Sequence, residues 1–426
     1  MTGTWRPEAA EPLADRVAED IRLLSTIVDD TLPGWTRRVF SEQYRAGRPV
    51  VARLMREAGL QVHVDAAGNV VGRLPGAHGA GAPPLVTGSH TDTVHAGGRF
   101  DGVVGVVGAI EVARRLQETG TRLDHDLLVV DFLGEEPNEH GMSCVGSRAV
   151  AGALGADDLS RADGSGRTLG AAMAGFGLDP AGSLRASWGA RSVHGYVELH
   201  VEQGPVLERV GVPIGVVTSI AGIDRLLASF HGRADHAGTT PMDLRHDALA
   251  AAAEAVLAIE RVGCGAPVHG VSTTGRLLSG PGAVNVVPQE ATLWAELRST
   301  QADWLSGVRR TLAEEIAVGA ARRGVEVVLD WLSDQPPVAA TPFVQDEIAA
   351  AAQDVGLAWR AMPSGAGHDA AHLALLGPMG MIFVPSVGGR SHVPDELTGI
   401  DDVVRGIHVL LATLVRLDRA PATRSA

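Results

Sequence analysis

Residues 85–89 and 126–133 are short, mostly apolar runs, and the stretch between them, 103–118, repeats its apolar positions at helical spacing. A short apolar run bounded by turns marks a strand covered on both faces, because a half-exposed strand alternates. Strand, helix, strand in that order calls for a mostly parallel sheet with helices on both faces. Residues 13–27 and 44–58 add two amphipathic helices, and 193–201 a further strand. In such sheets ligands collect beyond the carboxyl ends of the strands. The residues just after Ser89 and Leu133 are therefore the first places to look for chemistry.

Beyond residue 201 the texture changes. Residues 213–231 alternate, 243–262 form a long alanine-rich helix pattern, 271–278 and 291–297 read as strands, and 302–323 as another helix. This predicts a small α+β domain, residues 213–329, inserted into an α/β domain made of 1–212 and 330–426. The outer domain resumes with a helix at 343–355, a strand at 380–384 and a helix at 398–416. Residues 151–190, rich in Gly, Ala, Asp and Ser, predict short helices and loops covering the sheet. Gly164, Gly166 and Gly170 have the wrong spacing for a dinucleotide fingerprint and follow no strand.

Charge narrows the function classes. All 36 cationic residues are arginine, against 50 acidic ones, for a net charge of −14. A chain without lysine has no Schiff-base lysine, no P-loop lysine and no carbamylated lysine to bridge two metals. Its negative balance argues against nucleic acid or an anionic membrane as partner. Apolar runs fall short of the roughly 20 residues that span a bilayer. Cys144 and Cys264 have no metal-type spacing, and the amino terminus has no signal-peptide pattern. The expectation is a reduced, cytoplasmic protein.

The chemistry-bearing residues cluster where the sheet argument points. Gly88-Ser89-His90-Thr91-Asp92 leaves the first strand, followed by Arg99-Phe100-Asp101-Gly102 at a helix start. An imidazole and a carboxylate two residues apart can serve as metal ligand and orienting partner. Read alone, Asp101 is more readily a helix cap and His90 a loop histidine. Gly134-Glu135-Glu136-Pro137 ends the second strand, and adjacent carboxylates after an apolar run are costly unless something cationic neutralises them. Alternation along an extended backbone lets one coordinate metal while its neighbour faces the cleft as a base. Glu198-Leu199-His200-Val201-Glu202-Gln203 places an imidazole in the third strand, and Arg390-Ser391-His392 another in a late turn. Nitrogen and oxygen donors of this kind suit a two-metal hydrolytic centre.

Taken together, these motifs resemble the dinuclear metallopeptidase and amidase clan that includes aminoacylases and carboxypeptidase-G-type enzymes. The resemblance spans nearly the whole chain and is nearest to the ureido-cleaving branch: N-carbamoyl-L-amino-acid hydrolase, allantoate amidohydrolase and bacterial-type β-ureidopropionase. It implies Asp101 as bridging ligand, His90 and His200 on one divalent ion, Glu136 and His392 on the other, Glu135 as general base and Asp92 as the partner of His90. Zinc, manganese, cobalt and nickel all suit that ligand set. Peptidases of the clan commonly carry an acidic residue where this chain has His200, and histidine there resembles the ureido branch.

In the inserted segment, Asp235-His236-Ala237-Gly238-Thr239-Thr240 resembles the lid motif whose histidine stabilises the oxyanion in the partner subunit. This implies a homodimer through the inserted domain. Asn285 and Arg298 resemble the substrate-carboxylate grip, Gln203 a ureido contact, and His368 a residue of the site wall. The activity implied is hydrolysis of a small ureido carboxylate. N-carbamoyl-L-amino acids lead, allantoate follows, and an aminoacylase or dipeptidase comes third. A catalytically dead binding protein is the alternative from another class, against which intact Glu135 argues.

Overall fold

The computed structural model describes residues 11–79 and 81–420. The strands in chain order are β1 (Gln61–Val64), β2 (Val70–Leu74), β3 (Leu85–His90), β4 (Leu127–Phe132), β5 (Gly195–Val201), β6 (Ile214–Ile220) and β7 (Gly222–His231). They continue with β8 (Val271–Gly280), β9 (Glu290–Ser299), β10 (Glu326–Gln335), β11 (Val338–Ala339), β12 (Trp359–Ser364) and β13 (Met379–Val384).

Two compact units result. The first runs through Thr218 and returns at Ala340–Met362 and from His368 onward; the second is Ser219–Ala339 with Pro363–Gly367. Strand β6 crosses that boundary: Gly215 and Val216 pair with Phe383 and Ile382, while Ser219 and Ile220 pair with Ala339 and Val338. The second unit thus begins partway along a strand, a few residues after the texture change at 213.

The sheet of the first unit is mixed, where the sequence predicted a mostly parallel one. Its order begins β1-β2-β4-β3-β5-β13-β6, and along this order the parallel pairs are those joining β4, β3, β5 and β13. The flanks are antiparallel because β1 and β2 form a hairpin, and β2 and β6 run against their inner neighbours. Parallel neighbours need a crossover connection, as the helix Val103–Thr119 provides between β3 and β4, whereas β1 and β2 are joined by a short turn.

Strand β5 shows how the faces divide. Val197, Leu199 and Val201 enter the core shared with helices Val103–Thr119, Pro342–Asp354 and Ile400–Asp418. Tyr196, Glu198 and His200 alternate to the opposite face. Leu199 occupies a notch made by two glycines: a Cβ at Gly406 would lie 2.6 Å from it and one at Gly108 2.9 Å. Side chains at those positions would hold the helices off the sheet.

The second unit is a four-stranded antiparallel sheet, β10-β7-β9-β8, carrying helices Ala248–Cys264 and Ala302–Arg322. Leu226, Phe230, Leu293 and Leu297 face those helices. The first helix starts at Ala248 rather than near 243, because the Asp247 side chain accepts the Ala250 N–H as an N-cap and residues 242–244 form only a 3-10 turn. Strands β1, β2, β10, β11 and β12 are not predicted by the sequence pattern. Strand β1 shows why: it is four residues long and largely exposed, with only Val62 partly buried against the core, too short an alternation to stand out. No helix among the described residues is long and apolar enough to cross a membrane.

Leu199→Ala should cost about 2–5 kcal/mol of unfolding free energy, because the glycine notch cannot collapse around the smaller side chain. Urea denaturation checks this, with a lowered midpoint and an unchanged slope expected.

Candidate metal centre

Four neighbouring strand ends deliver the donors. His90 is the last residue of β3, Glu135 and Glu136 follow β4, His200 lies near the end of β5, and His392 follows β13. Asp101 joins them from the turn that starts the helix Val103–Thr119. All lie in the first unit, and all but His392 are buried.

The geometry centres on Asp101. Its Oδ1 is 3.1 Å from His200 Nε2 and 3.7 Å from His90 Nε2, and its Oδ2 is 3.1 Å from His392 Nε2. His392 Nε2 is also 3.4 Å from Glu136 Oε1, and His90 Nε2 is 3.5 Å from Glu135 Oε2. Two donor groups follow, His90–Asp101–His200 and Asp101–Glu136–His392, each with ligand atoms within 4.8 Å of one another. A third grouping, Glu198–His200–His368, is of another kind. The Glu198 carboxylate already accepts from the Ser89 hydroxyl, the Tyr196 hydroxyl and the Ala370 N–H, so it supports the site from beneath.

Local backbone explains the convergence. Gly102 has φ of 66°, and a Cβ there would lie 2.4 Å from the His90 ring, so only glycine lets Asp101 approach that imidazole. His392 and Gln203 adopt φ of 58° and 59°, an uncommon conformation for side-chain-bearing residues that here turns both toward Asp101. The Gln203 amide donates to Asp101 Oδ2 at 2.7 Å and lies 3.2 Å from His392 Nε2. His368 stacks edge-on against His200, with ring centroids 4.6 Å apart.

Asp92 differs from its expected part. The Nδ1 of His90 meets the main-chain oxygen of Asp92 at 2.9 Å, and its carboxylate only at 3.7 Å. That carboxylate instead accepts the backbone N–H groups of Glu135 (3.2 Å) and Glu136 (3.1 Å). It therefore fixes the acidic pair rather than the imidazole.

Three supporting residues carried no signal in the sequence. Buried Arg37 donates from Nε to the Thr91 carbonyl and from its backbone N–H to the Thr93 hydroxyl, clamping the loop that holds Asp92. Cys144 places Sγ 3.7 Å from Glu135 Oε1 and bonds the Glu135 carbonyl through its backbone N–H. Glu396 binds the Asp101 turn. Arg37 and Glu396 act across more than 50 and more than 290 residues, so no local spacing could have singled them out, while Cys144 reaches back only nine residues but belongs to no motif.

The electrostatics test whether metal fits. Burial, and then the neighbouring charges of Glu136, Asp369, Asp92 and Asp101, push the Glu135 carboxyl well up. Burial pushes Glu136 up to about 8 despite His392. Burial raises Asp92 to about 7 against its two N–H donors. His90 is pulled down to about 4 by burial. His200 goes the other way, to about 9, and His392 to about 10: burial pulls both down, but bonding to Asp101 together with the nearby charges of Glu198 for His200 and of Glu136 and Glu396 for His392 outweighs it. Carboxylates this crowded are costly unless cations offset them, and the ion-pair partners of Asp101, Glu135 and Glu136 here are all imidazoles. Imidazole and carboxylate donors suit borderline divalent ions, so the residues present fit a metal centre.

The second unit holds the other expected residues. His236 Nδ1 accepts the N–H groups of Gly238 (3.0 Å) and Thr239 (3.2 Å), which leaves the proton of the neutral ring on Nε2. A bridge between His236 and Val286, with Ala237 N–H on the Asn285 carbonyl, sets the His236 and Asn285 segments side by side. Arg298 on β9 bonds Glu296 at 2.5 Å and the Gly365 carbonyl at 2.9 Å.

A parallel-centred α/β sheet with a buried cluster of imidazoles and carboxylates at its strand ends defines a metallohydrolase. The profile of peptidase family M20/M25/M40 matches residues 78–416, and the chain belongs to that family. It is similar to the N-carbamoyl-L-amino-acid amidohydrolase of Paenarthrobacter aurescens, with 38% identity covering 95% of this chain and 98% of the relative. It is also similar to the ureidoglycolate hydrolase of Oryza sativa subsp. japonica, with 34% identity over 95% of this chain and 84% of that one. The crystal structure of AtUAH in complex with (S)-hydroxyglycine aligns with a TM-score of 0.88 at 34% identity, covering 96% of this chain and 98% of the other.

Metal uptake should release protons and strengthen with pH. Without metal, Glu136, His200 and His392 hold protons at neutral pH, since all three are raised above 7. Ligation needs them deprotonated. Zinc affinity should therefore rise between about pH 6 and pH 8 and level off only above the raised values. Calorimetry in buffers of differing ionisation enthalpy measures the released protons, and a flat pH profile would contradict this electrostatic picture.

Proposed function

We propose that this chain is a metal-dependent amidohydrolase that cleaves the ureido C–N bond of N-carbamoyl-L-amino acids, with water as co-substrate and amino acid, carbon dioxide and ammonia as products. The observation that carries the reading is the pair of donor groups sharing Asp101, with Glu135 beside them. Similarity to the Paenarthrobacter aurescens amidohydrolase over nearly the full length of both chains supports the substrate class.

In this reading His90 and His200 would hold one divalent ion, Glu136 and His392 the other, and Asp101 would serve both. Zinc, manganese, cobalt or nickel bound there would supply Lewis-acid polarisation of the substrate carbonyl and a water of lowered pKa. Glu135 takes a proton from the attacking water and returns it to the leaving nitrogen. Glu135 lies beside the donor groups, with Oε2 3.5 Å from His90 Nε2, where it can serve both halves of that transfer. Asp92 holds the Glu135–Glu136 backbone in place throughout. Gln203 binds the ureido group, and His368 forms part of the wall. The Nε2–H of His236 donates to the tetrahedral oxyanion. Arg298, with Asn285, grips the substrate carboxylate as a fork.

We further propose that the second unit acts as lid and dimerisation domain, that His236 serves the partner subunit of a homodimer, and that the enzyme is cytoplasmic. A second reading, allantoate or ureidoglycolate as substrate, is favoured by the likeness to the rice enzyme and to the AtUAH complex.

A substrate panel on the metal-reconstituted protein separates these readings. Ammonia release should be fastest from N-carbamoyl-L-amino acids; faster release from allantoate or ureidoglycolate would shift the assignment, and cleavage of N-acyl or dipeptide substrates without ammonia would overturn it. Glu135→Gln should lower kcat by at least about 100-fold, the lower end of general acid–base contributions, while leaving metal content nearly unchanged. His236→Asn should lower kcat by roughly 100- to 1000-fold if it is the oxyanion donor. Wild-type turnover in that variant, or an active monomer on dilution, would remove the partner-subunit role.

A further inference from the structure

We propose that Glu396 is a positioning residue that braces the Asp101 turn against the His392 turn, and that Gly98 lacks a side chain in order to admit it. The inference rests on the metal reading above and adds a residue to which the fold assigns both ligand segments. Glu396 is only 4% exposed. Its Oε1 accepts the backbone N–H groups of Phe100 at 2.8 Å and Asp101 at 3.0 Å. Its Oε2 accepts the Ser391 hydroxyl at 2.6 Å, and that hydroxyl also lies 2.8 Å from Asp101 Oδ2. One carboxyl group therefore grips the main chain at Asp101 and, through Ser391, the residue before His392. Ser391 and Asp101 are 290 positions apart in the chain. Nothing local keeps them together.

Gly98 supplies a second, independent observation. A Cβ there would stand 2.0 Å from Glu396 Cδ and 2.1 and 2.3 Å from its two oxygens, and these are the three nearest atoms. Gly98 is not among the glycines with positive φ, so its backbone does not call for glycine. The requirement is space for this one carboxyl group. Three hydrogen bonds hold that group, so it cannot swing aside at no cost.

The brace sets the separation between Asp101 Oδ2 and His392 Nε2, now 3.1 Å. That separation decides whether both can reach one ion. Outer contacts of this kind are typically worth roughly 10–100-fold in metal affinity or activity.

The test uses the full-length protein, stripped of metal and titrated with zinc, with circular dichroism confirming the fold of each variant. In Glu396→Ala, the ion held by Asp101, Glu136 and His392 should bind roughly 10–100-fold more weakly, and kcat at limiting zinc should fall and recover with excess zinc. KM should move little. Glu396→Gln should rescue most of the loss, since its amide oxygen can accept both N–H groups while its NH2 donates to Ser391. Gly98→Ala should reproduce the defect, yet add little in a Glu396→Ala background where the space has been vacated. Unchanged zinc affinity in Glu396→Ala, or strict additivity of the two substitutions, overturns the proposal. Should Glu396→Ala not fold, Gly98→Ala and Glu396→Gln decide it by the same titration. A wild-type protein that takes up no divalent ion would instead overturn the metal reading itself.

Discussion

The carboxylate of Asp101 lies between imidazoles on both sides, and the rest of the site is arranged around that contact. His200 and His392 each approach it to 3.1 Å, from opposite oxygens. In a buried setting such contacts strongly shift proton affinity, holding Asp101 well below the usual carboxylate range despite its burial and raising both histidines. The acidic pair beyond β4 has the opposite problem, since each carboxylate there is pushed up by burial and by its neighbours. A divalent cation resolves both at once: it replaces protons on the imidazoles and offsets the crowded carboxylates.

That arrangement needs a rigid frame, because donors on unrelated segments converge only if their backbones are held. The parallel centre of the sheet provides most of it, bringing β3, β4, β5 and β13 to one edge. Main-chain hydrogen bonds provide the rest. Asp92 binds the N–H groups of Glu135 and Glu136, Arg37 clamps the loop that carries Asp92, and Glu396 binds the N–H of Asp101. Each of these polar side chains is buried, and each is satisfied by backbone groups that would otherwise lack partners. Close approach is granted by glycine: Gly102 beside the His90 ring, Gly108 and Gly406 around Leu199. The same residues that open space for ligands and helices leave no room for a methyl group.

How much was legible follows from range. His90, Asp101, the Glu135–Glu136 pair and His200 sit at recognisable places relative to buried strands, so pattern and alternation located them without coordinates. The helix near 248 was placed about five residues too early, because a local propensity pattern extends through the 3-10 turn and only the Asp247 cap shows where the helix starts. Asp92 was read as the partner of His90 from their two-residue spacing, yet its side chain turns to the next strand's exit. Spacing along the chain cannot tell whether a carboxylate bonds its neighbour or a segment 43 residues away. Arg37 and Glu396 carry no motif, since what they touch lies far off in sequence, and Cys144 folds back on Glu135 only through the turn that follows β4.

The sequence by itself determined the α/β character, the positions of the chemistry-bearing residues and the exclusion of lysine-based chemistry, because these depend on local periodicity and residue type. The tertiary structure decided what those residues do to one another. It set antiparallel strands beside a parallel centre, joined His90, His200 and His392 around a single carboxylate, and turned Asp92 and Glu396 into backbone braces. Those outcomes depend on distances of a few ångströms between segments up to about 290 residues apart. Electrostatic and hydrogen-bond energies vary steeply over such distances, while the sequence records only order along the chain.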